Sequence, residues 1–156
     1  MKVLIISDSH GSTGFLADLL TRMDQEGRPD ALIFCGDGLQ DALPHKDYCP
    51  LFFPVRGNCD IGSYPTIPAE RTERLQGIDA FITHGNGYHV KRGPQTLCYR
   101  ALEVEAKVCC FGHTHRQMAE WLHGVLMINP GALSLGEYAL VYIGDEGSMS
   151  VDLRRL

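Results

Sequence analysis

Lys2-Val3-Leu4-Ile5-Ile6-Ser7 is an apolar run that breaks at once into Asp8-Ser9-His10-Gly11, and this opening decides how the rest of the chain is read. An unbroken apolar run of this length, closed by polar and glycine residues, is the mark of a strand buried on both faces and ending in a loop. Phe15, Leu16, Leu19, Leu20 and Met23 follow at helical spacing until Gly27-Arg28-Pro29 stops the pattern, and Asp30 to Cys35 supplies a second strand. Leu51 to Val55 reads as a third, running into Arg56-Gly57-Asn58-Cys59-Asp60, again a strand end followed by a polar loop marked by glycine.

From Arg71 the pattern becomes a hairpin, Arg71 to Leu75 and Ile78 to Thr83 turning at Gln76-Gly77, and it ends in His84-Gly85-Asn86-Gly87. Gln95 to Ala106 reads as a helix. Lys107 to Phe111 is a strand ending in Gly112-His113-Thr114-His115, and four short strands follow: Gln117 to Leu122, Val125 to Asn129, Tyr138 to Ile143 and Ser148 to Leu153. The expectation is an α/β chain forming one domain over residues 1–156, a β-α-β half joined to a more antiparallel half, with two sheets packed together and helices outside.

Composition narrows the class. With 44% apolar and 21% charged residues the chain has the balance of a soluble globular protein. No apolar run approaches the roughly 20 residues needed to span a bilayer, and the opening run is too short for a signal-peptide core, so a cytoplasmic location is expected and no membrane partner. The six cysteines form no C-x-x-C pair and are read as reduced thiols, with Cys109 and Cys110 facing opposite sides of one strand. A net charge of −5 leaves no basic field for nucleic acid, which is not expected as a partner; a homo-oligomer is compatible with the sequence. There is no phosphate-cradling G-x-x-x-x-G-K-[ST] loop.

The informative fact is where the metal-ligand residue types sit. Asp8 and His10, Asp37, Asn58, His84, and His113 with His115 all fall at predicted strand ends, in five separate loops. Strand ends in an open α/β sheet converge on one crevice, so these residues can meet. A lone Asp or Asn there ordinarily bonds its own turn. Four of the seven histidines in such places, with carboxylates beside them, argue for metal; His45, His89 and His123 lack this placement. In extended backbone, residues i and i+2 point the same way, so Asp8/His10 and His113/His115 each read as a clamp on one ion. The mix of imidazole, carboxylate and amide oxygen suits Mn²⁺ first, with Ni²⁺, Zn²⁺ or Fe²⁺ as alternatives, and no sulfur belongs to the set.

Asp8-Ser9-His10, Gly36-Asp37, Gly57-Asn58, Thr83-His84-Gly85 and Gly112-His113-Thr114-His115 together resemble the signature of the calcineurin-like metallophosphoesterases, and of their small bacterial and archaeal phosphodiesterase branch in particular. The resemblance runs from Met1 to about Gly136. It implies a four-layer αββα sandwich of two mixed sheets flanked by helices. It also implies two divalent ions per chain, the first held by Asp8, His10 and His115, the second by Asn58, His84 and His113, with Asp37 between them. The implied activity is a phosphodiesterase that hydrolyses a small phosphate ester by attack of a metal-bridging hydroxide, with Asn58, Asp37 and His84 carrying catalysis. The alternative is a non-catalytic metal-binding scaffold of the same fold, as a retromer subunit is. The chain departs from the family's pattern twice. The acidic residue after Asp37 is Asp41, four positions on instead of three, and Cys59 stands where many members have the histidine taken as general acid.

Overall fold

The computed structural model describes residues 1–60, 62 and 64–156. The strands are β1 (Lys2–Ile6), β2 (Ala31–Phe34), β3 (Leu51–Pro54), β4 (Glu70–Leu75), β5 (Ile78–Thr83), β6 (Val108–Cys110), β7 (Gln117–Leu122), β8 (Val125–Pro130), β9 (Glu137–Ile143) and β10 (Met149–Arg155); the helices are α1 (Thr13–Glu26), α2 (Leu39–Ala42) and α3 (Gln95–Glu103). Two five-stranded sheets form, in the orders β10-β9-β1-β2-β3 and β4-β5-β6-β8-β7.

Period-two alternation explains the layers. Val3 and Ile5 of β1 point between the sheets, where they meet Ile33, Ile82, Cys110, Ile128 and Val141, while Leu4 and Ile6 point outward under Leu16, Leu19 and Met23 of α1. Adjacent Cys109 and Cys110 divide as expected: Cys110 enters the inter-sheet core and Cys109 packs beneath Leu97 and Ala101 of α3. The result is the four-layer αββα sandwich that the motifs imply. Among the described residues no helix is long and apolar enough to cross a membrane.

The second half is less antiparallel than its hairpin spacing suggests. β5, β6 and β8 run parallel, with antiparallel β4 and β7 only at the edges, because α3 carries the chain from β5 across to β6. The final hairpin, β9 and β10, joins the first sheet by pairing β9 against β1. The expected helix to Ala106 stops at Glu103, where Glu105 turns left-handed and starts the return. One consequence positions the site. β1, β2 and β3 of one sheet and β5 and β6 of the other are two parallel sets, each delivering the loops after its strands to one edge.

Candidate metal centre

That edge gathers side chains from five loops. Asp8, His10 and His115 form one group whose ligand atoms all lie within 4.8 Å of one another, and Asp37, His84 and His113 form another. A third group joins Asp37 to His10 and Cys59, so Asp37 is common to both sides of the cluster. Asp8 Oδ1 lies 3.0 Å from His115 Nε2, 3.7 Å from His10 Nε2 and 3.9 Å from His84 Nε2, which ties the groups together.

Six of the seven sequence-derived residues therefore meet. Asn58 is exposed, and its side-chain amide donates to Cys59 Sγ at 3.4 Å. The clamp reading of His113/His115 is corrected: His113 goes with His84 and His115 goes with Asp8. The premise of extended backbone fails there. Asp8, His10, Asp37, His113 and His115 all have positive φ, from 45° to 67°, so residues i and i+2 need not point the same way: Asp8 and His10 still share a group, and His113 and His115 do not. Cys59 Sγ comes close to His10 and Asp37, so a sulfur stands beside the nitrogen and oxygen set.

Hydrogen bonding fixes the protonation of the inner histidine. His84 Nδ1 lies 2.7 Å from the carbonyl of Cys35, a pure acceptor, so this nitrogen carries the proton. In neutral His84 the Nε2 lone pair then faces Asp37 Oδ2 at 3.2 Å and His113 Nδ1 at 3.2 Å. A carboxylate oxygen and two imidazole nitrogens converge there, and a divalent cation bound by nitrogen and oxygen fits that donor set.

The charges of these groups are coupled. Burial opposes ionisation of Asp37, yet the bond from His84 and the amide of Cys59 outweigh it and hold the carboxyl well below the usual range. Burial likewise disfavours the His84 imidazolium, but Asp37 and Asp8 raise its pKa overall. His113 moves down through burial, the neighbouring His84 charge and Lys91. Cys59 moves up, first through its bond to Asp37 and then through burial, so the thiol keeps its proton.

Three supporting residues escaped the sequence reading. Asp60 is buried and accepts the backbone N–H groups of Asp37, Gly38, Leu39 and Gly57 at 2.8 to 3.0 Å, pinning the loop that presents Asp37. Asp41, given no role from sequence, accepts Ser9 Oγ at 2.6 Å and the Gly11 amide at 2.8 Å, so it braces the Asp8-to-Gly11 loop. Asn129 donates to the Gly112 carbonyl at 2.9 Å and Thr114 Oγ1 at 3.0 Å, bracing the loop of His113 and His115. Asp60 was legible in principle as the last residue of Gly57-Asn58-Cys59-Asp60, and Asn129 as one more polar residue at a strand end. Glycine completes the close approach at Gly57, where a Cβ would collide with Asp37 Oδ1.

The model of the calcineurin-like phosphoesterase superfamily domain matches residues 1–145. The chain belongs to that superfamily. Among its relatives, the probable metallophosphoesterase YsnB of Bacillus subtilis is 38% identical over 135 residues, covering 86% of this chain and 76% of that one. The phosphodiesterase YfcE of Escherichia coli K12 is 30% identical over 157 residues, covering 86% and 80%. A crystal structure of a single mutant of Vps29 from Entamoeba histolytica has the same fold, with a TM-score of 0.79 at 17% identity, covering 100% of this chain and 99% of that one. The family binds divalent metals, which accords with the donor set at this edge.

Two predictions follow from the bracing and the charges. Asp60→Asn replaces one acceptor oxygen by an amide that must face a backbone N–H, so urea unfolding should show a loss of about 2–5 kcal/mol and metal analysis a lower content. Unchanged stability would mean that the four amides find other partners. The raised pKa of His84 gives the metal-free chain an imidazolium–Asp37 pair that is fully present below about pH 6.5 and fades as pH rises through that raised value. Asp37, depressed, contributes from about pH 4 upward and loses its contribution only as pH falls through its own low value. A cation must displace the His84 proton, so the gain in Tm on adding Mn²⁺ to chelated protein should be larger at pH 8 than at pH 5.

Proposed function

We propose that this chain is a divalent-metal-dependent phosphodiesterase that holds two ions, Mn²⁺ first among them, and hydrolyses a small phosphate diester. The observation that carries the reading is the position of Asp37, shared between a group containing His10 and a group containing His84 and His113, as a carboxylate that serves two ions must be. Asp8, His10 and His115 would hold one ion, and His84 and His113 the other, with Asn58 joining them by turning its amide from Cys59. When bound, such ions would supply Lewis-acid charge to the phosphoryl oxygens and lower the pKa of water.

The protein's own groups orient and hold. The Nδ1–H bond to the Cys35 carbonyl locks the His84 ring with Nε2 inward, as outer partners of ligating histidines do. Asp60 keeps Asp37 at its post through the loop amides. Cys59 is the poorest group for its position. Its thiol is exposed, raised in pKa by Asp37 and a weak hydrogen-bond donor, so it gives a departing alkoxide little help. A second reading, a non-catalytic metal-binding scaffold, draws on the fold shared with Vps29 and on this thiol. The complete Asp and His set favours the enzyme.

Exhaustive chelation should abolish hydrolysis of bis(p-nitrophenyl) phosphate, and Mn²⁺ or Ni²⁺ should restore it better than Mg²⁺, which ligates nitrogen poorly. Asp37→Asn should lower bound metal and reduce kcat/KM by at least about 10–100-fold with the fold retained by circular dichroism. Full activity after chelation would refute the metal-dependent mechanism; metal-loaded protein with no turnover on any diester would establish the scaffold. For the thiol, kcat/KM should be much higher for nitrophenyl than for alkyl diesters, and Cys59→His should narrow the gap by up to about 10²-fold. Equal wild-type rates on the two classes would show that another group already protonates the leaving oxygen.

A further inference from the structure

Beside the clustered histidines opens a cleft of about 700 Å³. It shares Thr114 with the loop that carries His113 and His115, so a molecule held at that loop extends directly into it. Val90, Phe111 and Met118 give it an apolar floor, and Lys91, Arg92 and Arg116 stand on its rim with Glu120 as the one acid.

Five of the ten arginines are tied to a carboxylate, and the two at this rim are not among them. Arg28, Arg71, Arg74, Arg100 and Arg154 are each bridged to a carboxylate. Among the described residues Lys91, Arg92 and Arg116 have neither a carboxylate partner nor a side-chain hydrogen bond, and all three are exposed. Their backbones are nonetheless fixed. The Arg92 amide donates to the His89 carbonyl at 2.8 Å, and buried Val90 anchors that turn. The Arg116 amide donates to Thr114 Oγ1 at 3.3 Å, which itself accepts from Asn129. Unpaired guanidinium groups on a held backbone, set above an apolar floor, are arranged for a ligand that is anionic at one end and flat and apolar in the middle.

We propose that this cleft binds the departing half of the diester, and that this half carries a ring and a phosphomonoester group. The proposal rests on the phosphodiesterase reading and names its substrate class. Three cations less Glu120 leave two positive charges, which match the roughly −1.5 to −2 of a phosphomonoester at neutral pH better than the single charge of a carboxylate. The floor takes the ring. In the reaction a water oxygen adds to the bridging phosphorus and the bond to the departing half breaks. One water proton ends on the departing oxygen, and the other is released from the phosphate that stays behind. The cleft then holds a phosphorylated alcohol or phenol as product.

The test uses two methyl aryl phosphodiesters whose phenyl ring bears either a para-phosphonomethyl or an uncharged para-carbamoylmethyl group, the methylene keeping the two leaving groups alike. Wild-type kcat/KM should favour the phosphonomethyl diester by roughly tenfold at low salt, the preference shrinking as salt screens it. The triple variant Lys91→Gln, Arg92→Gln, Arg116→Gln should bring the ratio close to one. A second readout needs no turnover: chelated, metal-free protein is titrated with 4-(phosphonomethyl)phenol and with 4-(carbamoylmethyl)phenol. The phosphonate should shift the backbone amide resonances of Thr114 and Met118, and the triple variant should lose that response. Equal wild-type ratios, or equal shifts by both phenols, would overturn the assignment. Phosphonate-specific shifts without hydrolysis of either diester under any metal would uphold the cleft's ligand while removing the phosphodiesterase reading.

Discussion

The backbone at five of the candidate metal-binding residues runs through left-handed conformations that L-residues with a Cβ avoid, and the remainder of the site is organised around holding it there. Each such residue costs on the order of 1–2 kcal/mol, less for the two aspartates. The compensation is visible as hydrogen bonds aimed at backbone amides: Asp60 onto the Asp37 loop, Asp41 onto Gly11, and Asp8 Oδ2 onto the His113 amide at 3.0 Å. Buried carboxylates accepting amides are charge-assisted and stronger than neutral bonds, and three of them offset a strain that no single one could. A reversed backbone is also what lets each strand end deliver its side chain inward, toward the crevice, without the loop itself filling it.

The acidic character of the chain has to be read against this arrangement. Asp8, Asp37, Asp41 and Asp60 are all buried near one edge, which without counter-charge would repel one another and any phosphate. Asp41 and Asp60 are hydrogen-bonded locally by amides and a hydroxyl, leaving Asp8 and Asp37 to face the histidines. Only cations bound among those histidines would turn the edge from repelling an anion to attracting one. The basic rim of the neighbouring cleft works at longer range and on the part of a ligand that the metal site does not reach.

Most of the fold and of the site was legible in the sequence because both announce themselves by period and position. β1 is apolar from Val3 to Ile6 since α1 covers one face and the second sheet the other, and the recurrence of Asp, His and Asn after several strands at once exceeds what turn formation needs. What could not be read was direction. A pattern of alternating ligands says that His113 and His115 are near each other, but the path of the loop through non-extended backbone decides which partner each meets, and spacing alone does not give that path. The parallel pairing of β5, β6 and β8 was hidden for a related reason: short strands separated by turn residues look alike whether a hairpin or a crossover joins them. The bracing residues were hidden because a buried Asp that accepts amides has the same one-letter appearance as a surface Asp in a turn.

The separation between core and site explains how one architecture can serve an enzyme in one chain and something else in another. Apolar packing in the three clusters comes from strands and helices, whereas the clustered donors come from loops braced by polar bonds, so the two sets of residues hardly overlap. Losing a donor would remove charge from the edge and leave the sandwich intact, and likeness of fold to Vps29 therefore carries no information about turnover. The information lies in the donors and in the bracing that holds them. Here Asp60 still pins the Asp37 loop and the Cys35 carbonyl still fixes the His84 tautomer. A scaffold that needed only the outer shape would have no use for strained backbone at five positions. That strain, compensated by the bracing carboxylates, is the physical argument for a site that the outer shape alone would not require.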